Sequence, residues 1–97
     1  MKENKHYVYM LECKDGTFYT GYTTDIDERM KKHSAGKGAK YTRGRGPFRL
    51  VYQREYDSKS EALRAEYRLK QRSRKEKEQL VFRHEQIGEW HDETAKE

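Results

Sequence analysis

The chain has 97 residues, a length that fits one domain with a small core. Hydrophobic residues make up only 32% of it and charged residues 40%, so its eight tyrosines must supply part of the core. The net charge of +5 favours a polyanionic partner, and the single cysteine excludes both an intramolecular disulfide and a multi-cysteine zinc site. No apolar run approaches the length of a membrane span, so we expect a soluble cytoplasmic protein with no membrane partner.

Two segments rich in β-forming residues predict a hairpin near the start of the chain. Tyr7–Leu11 is a continuous apolar run, Thr17–Tyr22 is its natural partner, and Asp15-Gly16 lies between them. With a two-residue loop, Tyr9 and Tyr19 would point to opposite faces of the sheet. With a three-residue loop that ends in a left-handed glycine, both tyrosines would face the same side. The spacing alone leaves both registers open.

The next element is a helix predicted from Ile26 to Ala35. Asp25 provides an N-cap for it, and Gly36 provides a left-handed stop. His33 points close to its apolar face, where a lone histidine is more often structural than catalytic. Arg29 lies at the rim, where its guanidinium could bind a phosphate through two donors or form a surface ion pair with an acidic neighbour.

A glycine-rich basic loop follows over Gly36–Gly46. Its four glycines, four cations and one aromatic ring suit the tracking of a phosphate chain, with the ring stacking on an exposed base. The alternative is a solvated loop without a ligand. The candidate nucleic-acid contacts in the basic loop are Lys37, Lys40, Tyr41, Arg43 and Arg45.

A third strand and two more helices complete the predicted domain. Phe48–Tyr56 has the composition of a strand, and two Ser-x-x-Glu capping boxes start helices predicted at Lys59–Gln71 and Arg74–Arg83. We expect residues 1–87 to form the domain and residues 88–97 to form a flexible tail. The basic residues of these helices either contact DNA or are ordinary surface, and they are Arg64, Arg68, Arg72, Arg74, Lys75 and Lys77.

Glu66 occupies an unusual position on the first of these two helices. It lies inside the apolar arc, about 60° around the helix from Leu63. A carboxylate there costs stability unless a cation, a metal or several donors meet it, which makes Glu66 a candidate ligand for a hard divalent ion. The structural alternatives are a salt bridge with Lys70 one turn later or a hydrogen bond with a tyrosine hydroxyl such as that of Tyr9.

The chain resembles the GIY-YIG nuclease superfamily in a set of ordered residues: Tyr7-Val8-Tyr9, Tyr19-Thr20-Gly21, Arg29, His33 and Glu66. The similarity covers roughly Lys5–Leu80 and extends to the small single-domain bacterial branch and to the structure-specific Slx-type nucleases. It implies an α+β fold, a three-stranded antiparallel sheet flanked by helices, with both signature tyrosines near one catalytic surface. The resemblance therefore selects the three-residue loop, in which Gly21 lies opposite Tyr9 and leaves it room.

The resemblance also implies a role for each residue. Tyr9 and Tyr19 would be the signature tyrosines, Arg29 the phosphate-binding arginine and His33 a supporting polar group. Glu66 would be the sole protein ligand of a Mg²⁺ or Mn²⁺ cofactor. The implied activity is endonucleolytic hydrolysis of DNA phosphodiester bonds, with a structure-specific role in DNA repair or recombination and with RNA as a second candidate substrate. The alternative is a catalytically silent nucleic-acid-binding module of the same fold.

Two positions depart from the family pattern. Tyr7 stands where the family name has glycine, and Thr23 stands where some branches carry a lysine that helps to activate the site. A phenol ionises near pH 10 in water, so the candidate base, Tyr9 first and Tyr19 second, needs a local positive field. Lys40 and His33 are the two sources that the sequence offers for this field.

Overall fold

Three antiparallel strands form a sheet in the order β2-β1-β3. The strands are β1 (His6–Glu12), β2 (Phe18–Thr23) and β3 (Arg49–Tyr56). This computed structural model describes residues 5–87, and the tail predicted at residues 88–97 lies outside the described residues. The predicted α+β fold, a three-stranded antiparallel sheet flanked by helices, is confirmed.

The turn between β1 and β2 decides which side chains share a face. Leu11 pairs with Tyr19, and Gly16 at the end of the turn has a left-handed φ of 85°. Because Leu11 and Tyr9 are two residues apart on one strand, Tyr9 and Tyr19 point to the same side of the sheet. Gly21 pairs directly with Tyr9. The three-residue loop is therefore correct and the two-residue loop is wrong.

Three α-helices accompany the sheet: α1 (Ile26–Ser34), α2 (Lys59–Lys70) and α3 (Arg74–Ile87). A backbone amide at the start of each helix donates to a predicted cap, namely the side chains of Asp25, Ser58 and Ser73. α3 extends past its predicted end at Arg83 because no glycine or proline interrupts the chain before Gly88. Within residues 5–87, no helix combines the length and the apolar character that crossing a bilayer requires.

The two faces of the central strand serve different purposes. Val8 and Met10 point to the face covered by α2 and α3, where they join the main core with Val51, Ala62, Leu69 and Val81. Tyr9 points to the opposite face, where it contacts His33 of α1. The candidate site is therefore built on the face of the sheet that the main core leaves uncovered.

Candidate active site

A buried chain of hydrogen bonds leads from Tyr9 into the basic loop. Tyr9 Oη lies 2.8 Å from His33 Nε2, and His33 Nδ1 lies 3.0 Å from Thr42 Oγ1. The Thr42 hydroxyl donates its one hydrogen to the Ala39 carbonyl oxygen at 2.8 Å, so it accepts from Nδ1. We infer that Nε2 carries no proton and accepts the hydrogen bond of the Tyr9 hydroxyl.

The environment of His33 favours this neutral form. The side chain is only 1% exposed, and burial together with the nearby charge of Arg29 lowers the pKa of His33 below its ordinary value. A neutral imidazole supplies no positive field to the phenols. His33 is therefore not the source of positive charge that the sequence offered, and Lys40, the other source, lies exposed on the basic loop.

Arg29 supplies positive charge at the two phenols instead. Its Nε donates to Tyr9 Oη at 3.4 Å. The hydrogen bond to Tyr9 is the main reason why the pKa of Arg29 is raised, burial opposes it, and Tyr19 adds a smaller increase. Within residues 5–87, Arg29 forms no salt bridge, so the ion pair with an acidic neighbour is not formed. The half-buried guanidinium keeps N–H donors available for a phosphate.

The two phenols differ in their access to solvent. Tyr9 is 1% exposed, and burial raises the pKa of Tyr9 to about 12 against the opposing hydrogen bond from Arg29. Tyr19 is half-buried, and its ring centre lies 6.3 Å from that of Tyr9. We expected Tyr9 as the first choice and Tyr19 as the second to orient or deprotonate the attacking water. Of the two phenols, Tyr19 is the one that solvent can reach.

Two glycines leave the space that this arrangement needs. A methyl group at Gly21 would come within 2.6 Å of Tyr9 Oη, and one at Gly38 would overlap the ring of His33. Gly21 was expected to have this role, whereas Gly38 and Thr42 were missed. The available signal for Thr42 was a small polar residue between Tyr41 and Arg43 in the basic loop, at a position where phosphate binding alone does not require a threonine.

Glu66 lies at the rim of α2 rather than deep in the core. Its side chain is 18% exposed, and Lys70 Nζ lies 3.2 Å from its Oε2, so the predicted alternative of a salt bridge with Lys70 is present. Lys70 is half exposed, and surface pairs of this kind contribute about 0–1 kcal/mol. The charge of Glu66 adds to the raised pKa of Tyr9, after burial and the charge of Tyr19. The carboxylate is therefore within electrostatic reach of Tyr9 and is not sealed from solvent.

The residues present fit one type of metal site. Within residues 5–87, no three His, Cys, Asp or Glu side chains form a metal-binding group. Mg²⁺ needs only one or two carboxylates, because it retains several waters and takes further oxygens from substrate phosphates. Glu66 alone is consistent with such an ion.

The basic loop is anchored to the rest of the site by Tyr41 and Arg45. The Tyr41 ring stacks on that of Tyr19, with centres 5.9 Å apart and planes 26° from parallel. Arg45 lies over the Tyr41 ring at 4.4 Å, donates to the Tyr41 carbonyl oxygen at 2.7 Å and forms a salt bridge with Asp15. Arg45 therefore holds the loop against the hairpin turn. The exposed cations of the loop are Lys37, Lys40 and Arg43.

The model of the GIY-YIG catalytic domain matches residues 5–79 of this chain. The chain belongs to the GIY-YIG family. It is 70% identical over 76 residues to the UPF0213 protein BH0048 of Halalkalibacterium halodurans. This match covers 78% of this chain and 81% of that relative. It is also 61% identical over 75 residues to a UPF0213 protein of Halobacterium salinarum, covering 77% of this chain and 97% of that relative.

Solved structures of relatives share this GIY-YIG fold. The solution NMR structure of the UPF0213 protein BH0048 from Bacillus halodurans matches with a TM-score of 0.53 and 69% identity, over 79% of this chain and 82% of that chain. The solution NMR structure of the protein EF2693 from E. faecalis matches with a TM-score of 0.58 and 41% identity, over 87% and 92% of the two chains. The chain is thus a member of the GIY-YIG nuclease family.

Proposed function

We propose that this GIY-YIG domain is a divalent-metal-dependent endonuclease that hydrolyses DNA phosphodiester bonds. The observation that carries the proposal is the convergence of Tyr9, Tyr19 and Arg29 on one face of the sheet, with Arg29 Nε 3.4 Å from Tyr9 Oη. A guanidinium beside two hydroxyl groups suits a reaction in which negative charge builds up on phosphoryl oxygens. Fixed donors aimed at such charge are among the largest contributions to catalysis.

Arg29 binds the scissile phosphate in this proposal. It is held by Tyr9, its charge is not neutralised by a carboxylate within residues 5–87, and its donors point to the site that the two phenols share. The guanidinium neutralises charge on the phosphoryl oxygens as the transition state forms. The exposed cations of the basic loop extend this positive surface along the phosphate backbone and support binding of DNA.

Glu66 would hold the Mg²⁺ or Mn²⁺ ion, which would supply polarisation of a phosphate oxygen and stabilisation of charge on the leaving oxygen. The Glu66 carboxylate would have to leave its salt bridge with Lys70, whose Nζ lies 3.2 Å from Oε2. The half-exposed Lys70 ammonium would then be a further positive charge beside the site.

The two phenols have different roles in the proposed reaction. Tyr19 is accessible and orients the water, whereas Tyr9 has an acceptor for its own proton in the unprotonated Nε2 of His33 at 2.8 Å. The Tyr9 hydroxyl donates to His33 Nε2 and accepts from Arg29 Nε, so it holds the guanidinium at the site without contacting the water. His33 has the supporting role that the family resemblance implies, because it fixes the orientation of the Tyr9 hydroxyl.

Cleavage assays with a matched pair of variants test this function. The purified protein, incubated with Mg²⁺ or Mn²⁺, should cut at least one substrate among plasmid, flapped DNA, branched DNA and RNA. Glu66→Gln should reduce the rate by about 100-fold or more. Glu78→Gln is the control, because Glu78 also forms an i,i+4 salt bridge, here with Arg74 on α3, without lying at the site.

Two results would overturn the proposal. One is a wild-type protein that binds DNA and cuts none of these substrates, which would favour the silent binding module. The other is a folded Glu66→Gln variant that cuts as fast as the wild type. A preference for branched over linear DNA would support the proposed role in repair or recombination, and a preference for RNA would replace DNA as the substrate.

A further inference from the structure

α2 carries an exposed aromatic ring beside the candidate metal ligand. Tyr67 follows Glu66 in the sequence and is 66% exposed, and Leu63, one turn earlier, is 40% exposed. Within residues 5–87, Tyr67 has no hydrogen bond, salt bridge or ring contact. The ring therefore contributes little to the packing of the domain, and the fold alone gives no reason for a large aromatic side chain at this position.

The geometry of the helix places this ring on the solvent side of the carboxylate. Successive helical residues are rotated by about 100°, so Leu63, Tyr67, Lys70 and Glu66 share one arc of about 100° on α2. Glu66 is the least exposed of these four side chains and Tyr67 is the most exposed. We infer that a phosphate positioned beside Glu66 through a divalent ion would have its neighbouring nucleotide on the side of α2 that carries the Tyr67 ring.

The charges around the ring match a nucleic acid. Arg64 and Arg68 are exposed on the same helix, three residues before and one residue after Tyr67, and Lys70 pairs with Glu66 one turn later. Exposed aromatic rings among cations bind single strands, because the cations follow the phosphates and the ring stacks on a base. A base inside a duplex is already stacked on both sides and paired. Only an unpaired base can therefore use the ring.

We propose that Tyr67 and Leu63 form a stacking surface for an unpaired nucleobase next to the scissile phosphate. With such a surface, the domain prefers substrates in which a duplex meets a single strand. This inference rests on the proposed function, because it assumes that Glu66 marks the position of the phosphate. It adds a specificity-determining residue that takes no part in the chemical step.

Binding measurements on the 97-residue chain, with Ca²⁺ in place of Mg²⁺ or Mn²⁺ to occupy the site while cleavage is suppressed, test the inference apart from cleavage. The probes are a fluorescently labelled DNA duplex that carries a short single-stranded flap and the fully paired duplex of the same length. The wild type should bind the flapped probe more tightly. Tyr67→Ala should lower the affinity for the flapped probe by about tenfold and leave the affinity for the duplex nearly unchanged. Tyr67→Phe, which keeps the ring, should retain the preference.

Phe82→Ala is the matched control. Phe82 is 63% exposed on α3 and lies in a groove with Lys75 and Arg83, so it combines an aromatic ring and cations away from Glu66. The inference is overturned if the wild type shows no preference for the flap, if Tyr67→Ala keeps the wild-type preference, or if Phe82→Ala loses as much. These outcomes leave the Glu66 cleavage test intact. If Glu66→Gln loses cleavage while Tyr67→Ala keeps the wild-type preference for the flapped probe, the proposed function is correct and this inference is wrong.

Discussion

The hydroxyl of Tyr9 and the imidazole of His33 form a buried pair, with Oη and Nε2 2.8 Å apart. Both residues are only 1% exposed. If one of them is removed, the polar group of the other is therefore left without a hydrogen-bond partner, because water cannot reach it. The pair also connects β1 to α1 and, through Thr42, to the basic loop. A single hydrogen bond thus links the stability of this face of the sheet to the protonation state of a candidate catalytic group.

We predict that His33 makes the domain less stable in mild acid. In the unfolded chain its pKa is near 6.5, and in the folded chain burial, together with the charge of Arg29, lowers the pKa. As the pH falls below about 6.5, the unfolded state binds more protons than the folded state, so the free energy of unfolding falls until the lowered pKa is passed. The contribution is complete above pH 6.5.

Urea unfolding at a series of pH values measures this effect. The free energy of unfolding of the wild type should decline more steeply below about pH 6.5 than that of His33→Gln, which lacks the titrating group. The variant thus serves as the control for all other titrating residues. Parallel curves for the two proteins would contradict the assignment of a neutral, buried His33.

We predict that an added methyl group at Gly21 or Gly38 destabilises the site. Gly21→Ala would press on the phenol of Tyr9, and Gly38→Ala would press on the His33 ring. Overpacking of this kind costs about 1–3 kcal/mol. Thermal or urea unfolding gives the cost, and Lys37→Ala, an exposed neighbour of Gly38, should stay within about 0.5 kcal/mol of the wild type. Wild-type stability in both glycine variants would show that the site has more room than the structure gives it.

We predict different effects for the two signature tyrosines. Tyr19→Phe should lower the cleavage rate with little change in stability, because its hydroxyl orients water at a half-buried position. Tyr9→Phe should lower both, because it leaves His33 Nε2 buried without a donor, at a cost of about 1–3 kcal/mol. Tyr22→Phe is a control on the other face of β2, where the hydroxyl bonds to His6. Equal loss of stability from Tyr9→Phe and Tyr19→Phe would argue against the division of roles.

We predict that Asp15 protects the basic loop from proteolysis. Its hydrogen bonds with Thr17, followed by the charge of Arg45, lower the pKa of the Asp15 carboxyl, which stays ionised at neutral pH and holds Arg45. Asp15→Asn should speed tryptic cleavage within Gly36–Gly46. Mass spectrometry of early fragments would locate the cuts, and Asp57→Asn is the control at an exposed carboxylate paired only with Lys5 at 3.7 Å within the described residues. Equal cleavage rates in the two variants would show that the anchor does not restrain the loop.

Much of the fold could be predicted because it depends on neighbouring residues. The helix starts at Asp25, Ser58 and Ser73 follow from side chains that accept hydrogen bonds from backbone amides three positions later. The hairpin shows the limit of such reasoning. Its sequence permits two loop lengths, and only the resemblance to the GIY-YIG family selected the register that the structure then confirmed.

The sequence by itself identified the candidate site residues: two tyrosines, an arginine, a histidine and a glutamate in the order of the GIY-YIG family. Tertiary structure decided how they are arranged. It buried Tyr9 and left Tyr19 accessible, paired His33 with Thr42, and tied Arg45 to Asp15, 30 positions away. Helical and strand periodicity assign a face to each residue, but a contact between distant segments depends on how those faces pack together. For this reason the protonation state of His33 and the anchoring of the basic loop followed only from the folded chain.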